Sequence, residues 1–289
     1  MGKIVIPIKY DYDLDLTLYP SFTLAFFEKI GREWVKILGI FSGLKLTLRE
    51  NVLKANIDDE EVVFNFSGLW YNPRDFISEV NRDYREAISK IIKVYGKLRL
   101  SINPYEKDKM FITIVLSQRT SFHVNVVKWV RKIFRSREPD FNIGRSYQIE
   151  RAKEAYETCI EILGEDKNRV DPWTLRKLLL NCPNVGVKTV DAYLLFTRRN
   201  ATFLAPADIH FRKFVQKFFQ IRRKMPSKNY CMKYMCQTCP LKDKCITGWA
   251  MKNFGRLAGW LQTVAYVHDK NYCSKNRCET CPLRDVCKY

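Results

Sequence analysis

A tight turn that runs directly into a helix, at residues 182–187, constrains the fold of this chain more than any other stretch. The turn reads Cys-Pro-Asn-Val-Gly-Val, and apolar residues then recur from Val190 to Phe196 at the spacing of one helix face. The first N–H groups of a helix have no partner within it, so such a turn can hold a phosphate oxygen without a charged side chain. Asn184 and Gly186 are residue types that tolerate a positive φ, which we expect a turn this tight to require.

Two ionisable residues flank the helix that follows this turn. Lys188 stands at its start, and Asp208 stands in the segment Pro-Ala-Asp-Ile-His, where the next helix is predicted to begin. Each has an ordinary structural interpretation, because a lysine at a helix start is usually a solvated charge and an aspartate before a helix is usually its N-cap. The pair becomes a candidate site only in combination with the turn.

The combined pattern resembles the helix-hairpin-helix DNA glycosylase superfamily, which includes endonuclease III and the 8-oxoguanine DNA glycosylases. The resemblance rests on Leu-x-x-Pro-x-Val-Gly-x-Lys-Thr at residues 180–189 and on Pro-x-Asp-x-His at residues 206–210. It implies that Lys188 is the nucleophile of a bifunctional glycosylase/lyase and that Asp208 is the carboxylate across the pocket from it. It also implies DNA-backbone contacts from three hairpin residues, Asn184, Gly186 and Thr189. The middle hairpin position is usually Gly in this family and is Asn184 here.

The charge balance agrees with a nucleic-acid partner. The 289 residues include 50 Lys and Arg against 31 Asp and Glu, a formal charge of +19. Each phosphate that a basic side chain neutralises releases counterions, which strengthens binding. A basic membrane-surface protein would have the same charge, but we find no long basic amphipathic helix, no membrane-spanning run and no signal peptide. We therefore expect a cytoplasmic, DNA-associated monomer that binds damaged double-stranded DNA and no membrane.

The periodicity of the chain predicts an α+β protein in three parts. Residues 1–68 read as a small antiparallel β domain, with candidate strands that include Leu14–Leu18 and Val62–Phe66, and with an ambiguous segment at Phe22–Lys29. Residues 69–228 read as an all-helical core, in which 74–94 is one long amphipathic segment. Residues 229–289 form a cysteine-rich region with a helix between its two halves. The first part resembles the β domain of 8-oxoguanine and alkylbase glycosylases.

The sequence Leu-Ser-Gln-Arg-Thr-Ser, at residues 116–121, lies between the predicted helical segments 107–115 and 121–134. Endonuclease III-like enzymes have a similar stretch, whose Gln enters the duplex where the damaged nucleotide has left the stack. The resemblance implies this role for Gln118, and a solvated or capping Gln is an equal alternative. The basic residues Arg131, Lys132, Arg135 and Arg137 could follow phosphates, although such runs are usually a solvated face.

The cysteine-rich region contains an internal duplication. Two units share the spacing C-x4-C-x2-C-x5-C, and four closely spaced thiolates can hold either a [4Fe-4S] cluster or structural zinc. The first unit consists of Cys231, Cys236, Cys239 and Cys245, and the second of Cys273, Cys278, Cys281 and Cys287. Structural disulfides are the remaining alternative, which an intracellular protein disfavours. Cys159 and Cys182, outside the units, are predicted to be buried apolar residues.

The family resemblance favours iron in the second unit. Endonuclease III-like enzymes end in a four-cysteine loop in which a longer first gap is followed by the same C-x2-C-x5-C, and the second unit stands at that place. The first unit has no counterpart in the family pattern, and its near-identity to the second indicates a second [4Fe-4S] cluster, with zinc as the alternative. The resemblance implies that loops within the units meet phosphates through Lys233, Lys275 and Arg277.

The substrate class stays open at this stage. The β domain with a Lys/Asp pair indicates an oxidised purine, chiefly 8-oxoguanine, whereas an iron–sulfur loop indicates an oxidised pyrimidine. Ala192 and Tyr19 stand where the eukaryotic 8-oxoguanine enzymes have a Cys and a Gly, so we expect a different base-reading pocket. One alternative is a monofunctional glycosylase for alkylated or deaminated bases. Another is a non-catalytic DNA-binding protein whose fold is stabilised by bound metal. His210 is interpreted as a structural hydrogen-bonding residue.

Overall fold

The structure is a computed structural model that describes residues 3–136, 138–165 and 170–288. Five antiparallel strands near the N-terminus form one sheet in the order β1-β5-β4-β3-β2. The β4–β5 hairpin turns at Glu50 and Asn51, which both have positive φ and so match the right-handed twist of the strands. The strands are β1 Ile4–Pro7, β2 Phe27–Ile30, β3 Glu33–Lys36, β4 Lys45–Arg49 and β5 Val52–Ala55. This confirms the predicted antiparallel β domain, in which β2 to β5 form a meander and β1 returns to pair with β5.

Two of the predicted strands are helices instead. Helix α1, Leu14–Leu18, begins at the N-cap Asp13, and helix α2, Glu60–Ser67, begins at the N-cap Asp59. Each aspartate accepts a hydrogen bond from a backbone N–H of the first turn, which fixes the helix start. The prediction was wrong because a short apolar run fits both the two-residue period of a strand and the longer period of a helix. The acidic N-caps favour the helix at both places. The ambiguous segment 22–29 is a 3-10 turn that leads into β2.

Ten further helices make up the rest of the described chain. The predicted segment 74–94 is interrupted at Val80 and Asn81, where a 3-10 helix ends and Asn81 caps the next helix. The helices are α3 Arg82–Tyr95, α4 Lys107–Leu116, α5 Val127–Ile133, α6 Tyr147–Glu165, α7 Pro172–Leu179, α8 Val187–Thr197, α9 Ile209–Phe219, α10 Lys228–Lys233, α11 Ile246–Phe254 and α12 Ala258–Asn271. None of these helices, within the described residues, has the length and apolar character that a bilayer-spanning segment needs.

The centre of the core is formed by α4, α8 and α12, which are buried along most of their length. Helix α12 lies very close to the segment after α8, because a Cβ on Gly259 would come within 2.8 Å of the Thr202 carbonyl oxygen. The Trp260 indole N–H donates to the Leu98 carbonyl oxygen at 3.0 Å. These contacts fix α12 against the segments that follow α8 and α3.

A buried ion pair joins the sheet to the helical core. Lys36 Nζ on β3 lies 2.6 Å from Glu106 Oε2 at the start of α4, and both side chains are buried. Burial lowers the pKa of Lys36, and the neighbouring Glu106 carboxylate opposes that shift. Asn103 Nδ2 also donates to Glu106 at 3.1 Å. Because a lone buried charge is costly, removing either partner of the pair would destabilise the junction more than the pair itself stabilises it.

Cys159 and Cys182 form a disulfide rather than two separate buried thiols, which corrects the sequence prediction. The bond joins α6 to the turn before α8 across a sequence separation of 23 residues, with a Cα–Cα distance of 6.0 Å. A loop of this length corresponds to about 3 kcal/mol of stabilisation, chiefly through the unfolded chain. The remaining eight cysteines, all among the described residues, are free thiols.

Candidate active site

The hairpin between α7 and α8 presents backbone N–H groups at the start of α8. Asn184 has φ 59, which confirms the left-handed conformation expected there, and its side chain donates to Glu154 Oε2 at 2.6 Å. Gly186 differs from the expectation, because it is the N-cap of α8 with φ −106. A Cβ at Gly186 would meet nothing within 4 Å, and no described side chain caps α8. The first N–H groups of α8 are therefore open to an external acceptor such as a phosphate.

Lys188 and Asp208 line the same cavity, which has a volume of about 840 Å³. Lys188 lies in the first turn of α8, and Asp208 is the N-cap of α9. Both side chains are half-buried. The volume falls within the range of ordinary ligand pockets and can admit a nucleobase. A second cavity, of about 500 Å³, lies away from this pair and beside Cys236.

Asp208 is both a helix cap and a cavity residue. Its Oδ1 accepts a hydrogen bond from the Phe211 backbone N–H at 2.7 Å, and its Oδ2 accepts one from Gln262 Nε2 at 3.0 Å. Gln262 lies on α12 and is only 7% exposed. Two donors therefore hold the carboxylate in place, and the hydrogen bond from Gln262 fixes its orientation in the cavity wall.

The surroundings of Lys188 carry other positive charges. Lys270 and Arg119 line the same cavity, and no carboxylate in the described residues forms an ion pair with Lys188. Within the part of the chain that the structure describes, no carboxylate therefore occupies the amine of Lys188, which leaves it available to a substrate.

Aromatic rings form much of the cavity wall. Tyr19 stacks on His123 with ring centroids 4.4 Å apart, and Phe22 meets Phe122 edge-on at 5.2 Å. Burial lowers the pKa of His123, and the positive charge of Lys270 adds to the effect. A neutral imidazole stacked on a phenol ring gives a flat apolar surface of the kind on which a base can stack.

His210 makes a hydrogen bond of the structural kind predicted for it, and it also lines the cavity. Its Nδ1 lies 2.5 Å from Asp269 Oδ2, which also accepts a hydrogen bond from Ser274 Oγ at 2.8 Å. Burial raises the pKa of Asp269, but the hydrogen bonds from His210 and Ser274 outweigh that effect and lower it. This network ties α9 to the end of α12 and to the start of the second cysteine unit.

The other predicted DNA contacts are distributed around the hairpin and the two cysteine units. Gln118 Nε2 donates to the Asn184 carbonyl oxygen at 2.9 Å, so it lies against the hairpin and beside the cavity rim. Thr189 is buried, which leaves only its backbone amide for a DNA contact. Lys233, Lys275 and Arg277 are exposed. Of the basic residues that could follow phosphates, Arg131 pairs with Glu28, and Arg137 lies outside the described residues.

Sequence reasoning missed a cavity-lining face on α12. Gln262, Tyr266 and Lys270 all line the cavity, and they follow one another at intervals of one helical turn. The indication in the sequence was the recurrence of hydrogen-bonding or charged side chains on one stripe of an otherwise apolar helix. His123, from the segment after Gln118, was also missed.

The eight free cysteines lie in two separate groups. The thiols of the first unit interact with one another, since Cys231 and Cys245 both act on the pKa of Cys236, which burial raises to about 12. The second unit is more open, with Cys278 exposed. In the described residues, no three His, Cys, Asp or Glu side chains are arranged as a metal-ion site.

Comparison with known proteins identifies the fold. No protein-family model matches the chain, and no curated protein matches its sequence. A structure of MBOgg1 in complex with a low-affinity DNA ligand is similar over 93% of this chain and 96% of that one, with a TM-score of 0.65 and 12% identity. The apo 8-oxoguanine glycosylase/lyase of Clostridium acetobutylicum is similar over 92% and 96%, with a TM-score of 0.63 and 12% identity.

A third solved structure with this fold belongs to an enzyme named for a base other than 8-oxoguanine. The 3-methyladenine DNA-glycosylase from Archaeoglobus fulgidus is similar over 92% of this chain and 98% of that one, with a TM-score of 0.59 and 14% identity. The chain therefore has the fold of the 8-oxoguanine and 3-methyladenine DNA glycosylases, which confirms the fold predicted from the hairpin motif.

Proposed function

We propose that this chain is a bifunctional DNA glycosylase/lyase that removes an oxidised base from double-stranded DNA. The observation that supports the proposal most directly is that Lys188 and Asp208, at the starts of two different helices, line one cavity large enough for a nucleobase. The uncapped start of α8 lies next to that cavity and can hold a backbone phosphate. The net charge of +19 favours association with a polyanion.

The base must leave the duplex before it can reach the cavity. Extrusion costs a few kcal/mol, and a damaged pair lowers that cost. The hairpin amides grip the backbone on one side, and Gln118, beside the cavity rim, fills the space that the base vacates. Aromatic residues of the wall, with Tyr19 and His123 as a stacked pair, receive the extruded base.

The chemistry uses the amine of Lys188 and the fixed carboxylate of Asp208. Lys188 Nζ attacks C1′ of the sugar, the glycosidic C–N bond breaks, and the base leaves with its electron pair and takes up a proton. Loss of the ring oxygen from C1′ gives a Schiff base, which acidifies the C2′–H and permits β-elimination of the 3′-phosphate. Asp208 stabilises the positive charge that develops on the sugar and assists proton transfer. Gln262 keeps the carboxylate oriented toward the cavity.

For the base itself, we propose 8-oxoguanine first and an oxidised pyrimidine second. The small β domain in front of a Lys/Asp pair supports the first, and Clostridium acetobutylicum 8-oxoguanine glycosylase/lyase has this fold. A monofunctional glycosylase for alkylated bases is the second candidate function, because the Archaeoglobus fulgidus 3-methyladenine enzyme also has this fold. Lys188 favours the bifunctional enzyme, since that position has no need of an amine when water is the nucleophile.

Borohydride trapping on a panel of single-lesion duplexes tests the proposal. We expect the purified chain to form a covalent adduct with a duplex that contains 8-oxoguanine, because borohydride reduces the Schiff base to a stable amine. Undamaged duplex is the control and should give no adduct. Base release without an adduct would indicate the monofunctional alternative. Absence of both base release and adduct on every lesion would leave only the non-catalytic DNA-binding alternative.

We further propose that both cysteine units bind metal. The second unit would hold a [4Fe-4S] cluster through Cys273, Cys278, Cys281 and Cys287. The first would hold a second cluster, or zinc, through Cys231, Cys236, Cys239 and Cys245. The chemistry of the residues suits such groups, because all eight are free thiols that the sequence divides into two sets of four, while the other two cysteines pair with each other. The described side chains are not themselves arranged as a metal-ion site. A bound centre would cross-link its loop and stabilise the local fold.

Metal analysis of the purified protein tests this part of the proposal. We expect anaerobically purified chain to contain about eight iron atoms, or about four iron and one zinc if the first unit binds zinc. Cys278→Ser should remove about four iron atoms, and Cys236→Ser should remove the other metal. Cys159→Ala with Cys182→Ala is the matched control, because it changes two cysteines outside the units and should leave the metal content unchanged. Unchanged metal in Cys278→Ser would contradict the assignment.

A further inference from the structure

A buried ion pair lies inside the hairpin, behind the residues that face the cavity. Arg176 on α7 binds Asp191 on α8, with Nε 2.5 Å from Oδ1 and Nη2 3.1 Å from Oδ2. The two side chains are 1% and 0% exposed. Asp191 follows Lys188 by about one turn of α8. The pair therefore connects the two helices of the hairpin directly beneath the proposed nucleophile.

The pair leaves one donor unused. Arg176 Nη1 is buried and has no hydrogen-bond partner among the described residues. A buried N–H of a charged group without an acceptor is costly, so an acceptor is expected beside it when the site is complete. Asp191 already uses Nε and Nη2, so the missing acceptor must lie on the Nη1 side of the guanidinium.

The first cysteine unit lies beside this guanidinium. Helix α10, which contains Cys231, packs against α7, which contains Arg176. Arg176 is close enough to Cys231 to act on it electrostatically. It acts in the same way on Cys236. A metal-bound thiolate of this unit would be an anionic acceptor in the position that the orphaned N–H requires.

A second contact joins the same unit to the turn of the hairpin. Lys228 Nζ, at the start of α10, donates to the Val185 carbonyl oxygen at 3.0 Å. Lys228 precedes Cys231 by less than one helical turn. The first cysteine unit thus contacts both α7 and the turn that presents the open N–H groups. The second unit contacts other elements, with Cys281 Sγ 3.6 Å from His268 Nε2 on α12.

We propose that Arg176 donates its free N–H to a thiolate sulfur of the metal centre in the first cysteine unit, and that this centre braces the DNA-binding hairpin. Arg176 is a positioning residue in this scheme, because it acts through the centre and through Asp191 and does not touch the substrate. The inference rests on the proposed metal site of the first unit. It is independent of the lyase chemistry proposed for Lys188.

The rate of metal release to a chelator tests the role of Arg176. The variant is Arg176→Gln combined with Asp191→Asn, which removes both charges and leaves no lone buried ion. We expect the metal of the first unit to leave about 10-fold to 100-fold faster than in the wild type, as for other residues that support a metal ligand. Lys36→Met combined with Glu106→Gln is the matched control, because it removes a buried ion pair outside the hairpin and the cysteine units, and its metal release should stay close to the wild-type rate. The metal of the second unit should leave at the wild-type rate in both variants.

Hydrogen exchange of the full chain without DNA gives a second readout that does not depend on the folding of the Arg176→Gln/Asp191→Asn variant. We expect Cys236→Ser to accelerate exchange of the amides at residues 182–190, whereas Cys278→Ser should leave them unchanged. If Cys236→Ser removes no metal, the first metal site and this role are both overturned. If it removes metal but the Arg176→Gln/Asp191→Asn variant releases metal at the wild-type rate, or the hairpin amides exchange as before, the role of Arg176 as a brace is overturned alone. Neither result changes the outcome of borohydride trapping by Lys188.

Discussion

Lys188→Gln should abolish covalent trapping by borohydride and reduce strand cleavage by about 10⁴-fold or more, because removing the nucleophile removes the covalent route. The glutamine amide has a similar reach but no nucleophilic lone pair, so it cannot form a Schiff base. Lys188 is half-buried at the start of α8, and no described carboxylate pairs with it. Folding should therefore be little affected. The measurements are adduct yield, cleavage rate and affinity for a duplex with the lesion.

The cavity contains a second lysine, which provides the matched control. Lys270 on α12 lies 5.9 Å from the centre of the Tyr266 ring and lines the same cavity. Lys270→Gln removes one positive charge from the cavity but keeps the nucleophile, so it should still be trapped on damaged duplex, even if more slowly. An adduct that persists in Lys188→Gln and disappears in Lys270→Gln would transfer the nucleophilic role to α12 and refute the assignment of Lys188.

The local features of the hairpin could be predicted from the sequence because they depend on a few adjacent residues. The helix start after residue 186 and the positive φ of Asn184 follow from side-chain periodicity and residue type. Gly186 did not need a positive φ, and its lack of a side chain instead leaves the start of α8 uncovered. The position of Asp208 at the next helix start was equally local, since a short acidic side chain before an apolar run caps a helix.

Features that depend on distant segments could not be predicted. Gln262 reaches Asp208 only because α12 packs against the helices of the core, and no spacing in the chain records that contact. The disulfide between Cys159 and Cys182 depends on a Cα–Cα distance of 6.0 Å between α6 and the hairpin. Cysteine pairing is a property of the fold, and the general preference for reduced thiols inside cells pointed the other way. The helices α1 and α2 were taken for strands because their apolar runs are too short to define a period.

Asp208→Asn should reduce the rate of base excision by about 10²-fold to 10⁴-fold while leaving the fold and DNA affinity intact. Asparagine caps a helix about as well as aspartate, so the hydrogen bond from the Phe211 N–H should remain and stability should change by less than about 0.5 kcal/mol. What the substitution removes is the negative charge that stabilises the developing cation on the sugar. The measurements are single-turnover base release and thermal unfolding.

The chain offers a matched substitution at another helix cap. Asp171 caps α7 by accepting hydrogen bonds from the Trp173 and Thr174 N–H groups, and it does not line the cavity. Asp171→Asn should leave base release unchanged, whereas Asp208→Ala should lose both the activity and about 1 kcal/mol of stability. Equal activity in Asp208→Asn and the wild type would mean that Asp208 serves only as a helix cap. The cavity would then bind DNA without using this carboxylate in catalysis. A large loss in Asp208→Asn alone would mean that the same side chain which starts α9 also carries the charge that the reaction needs.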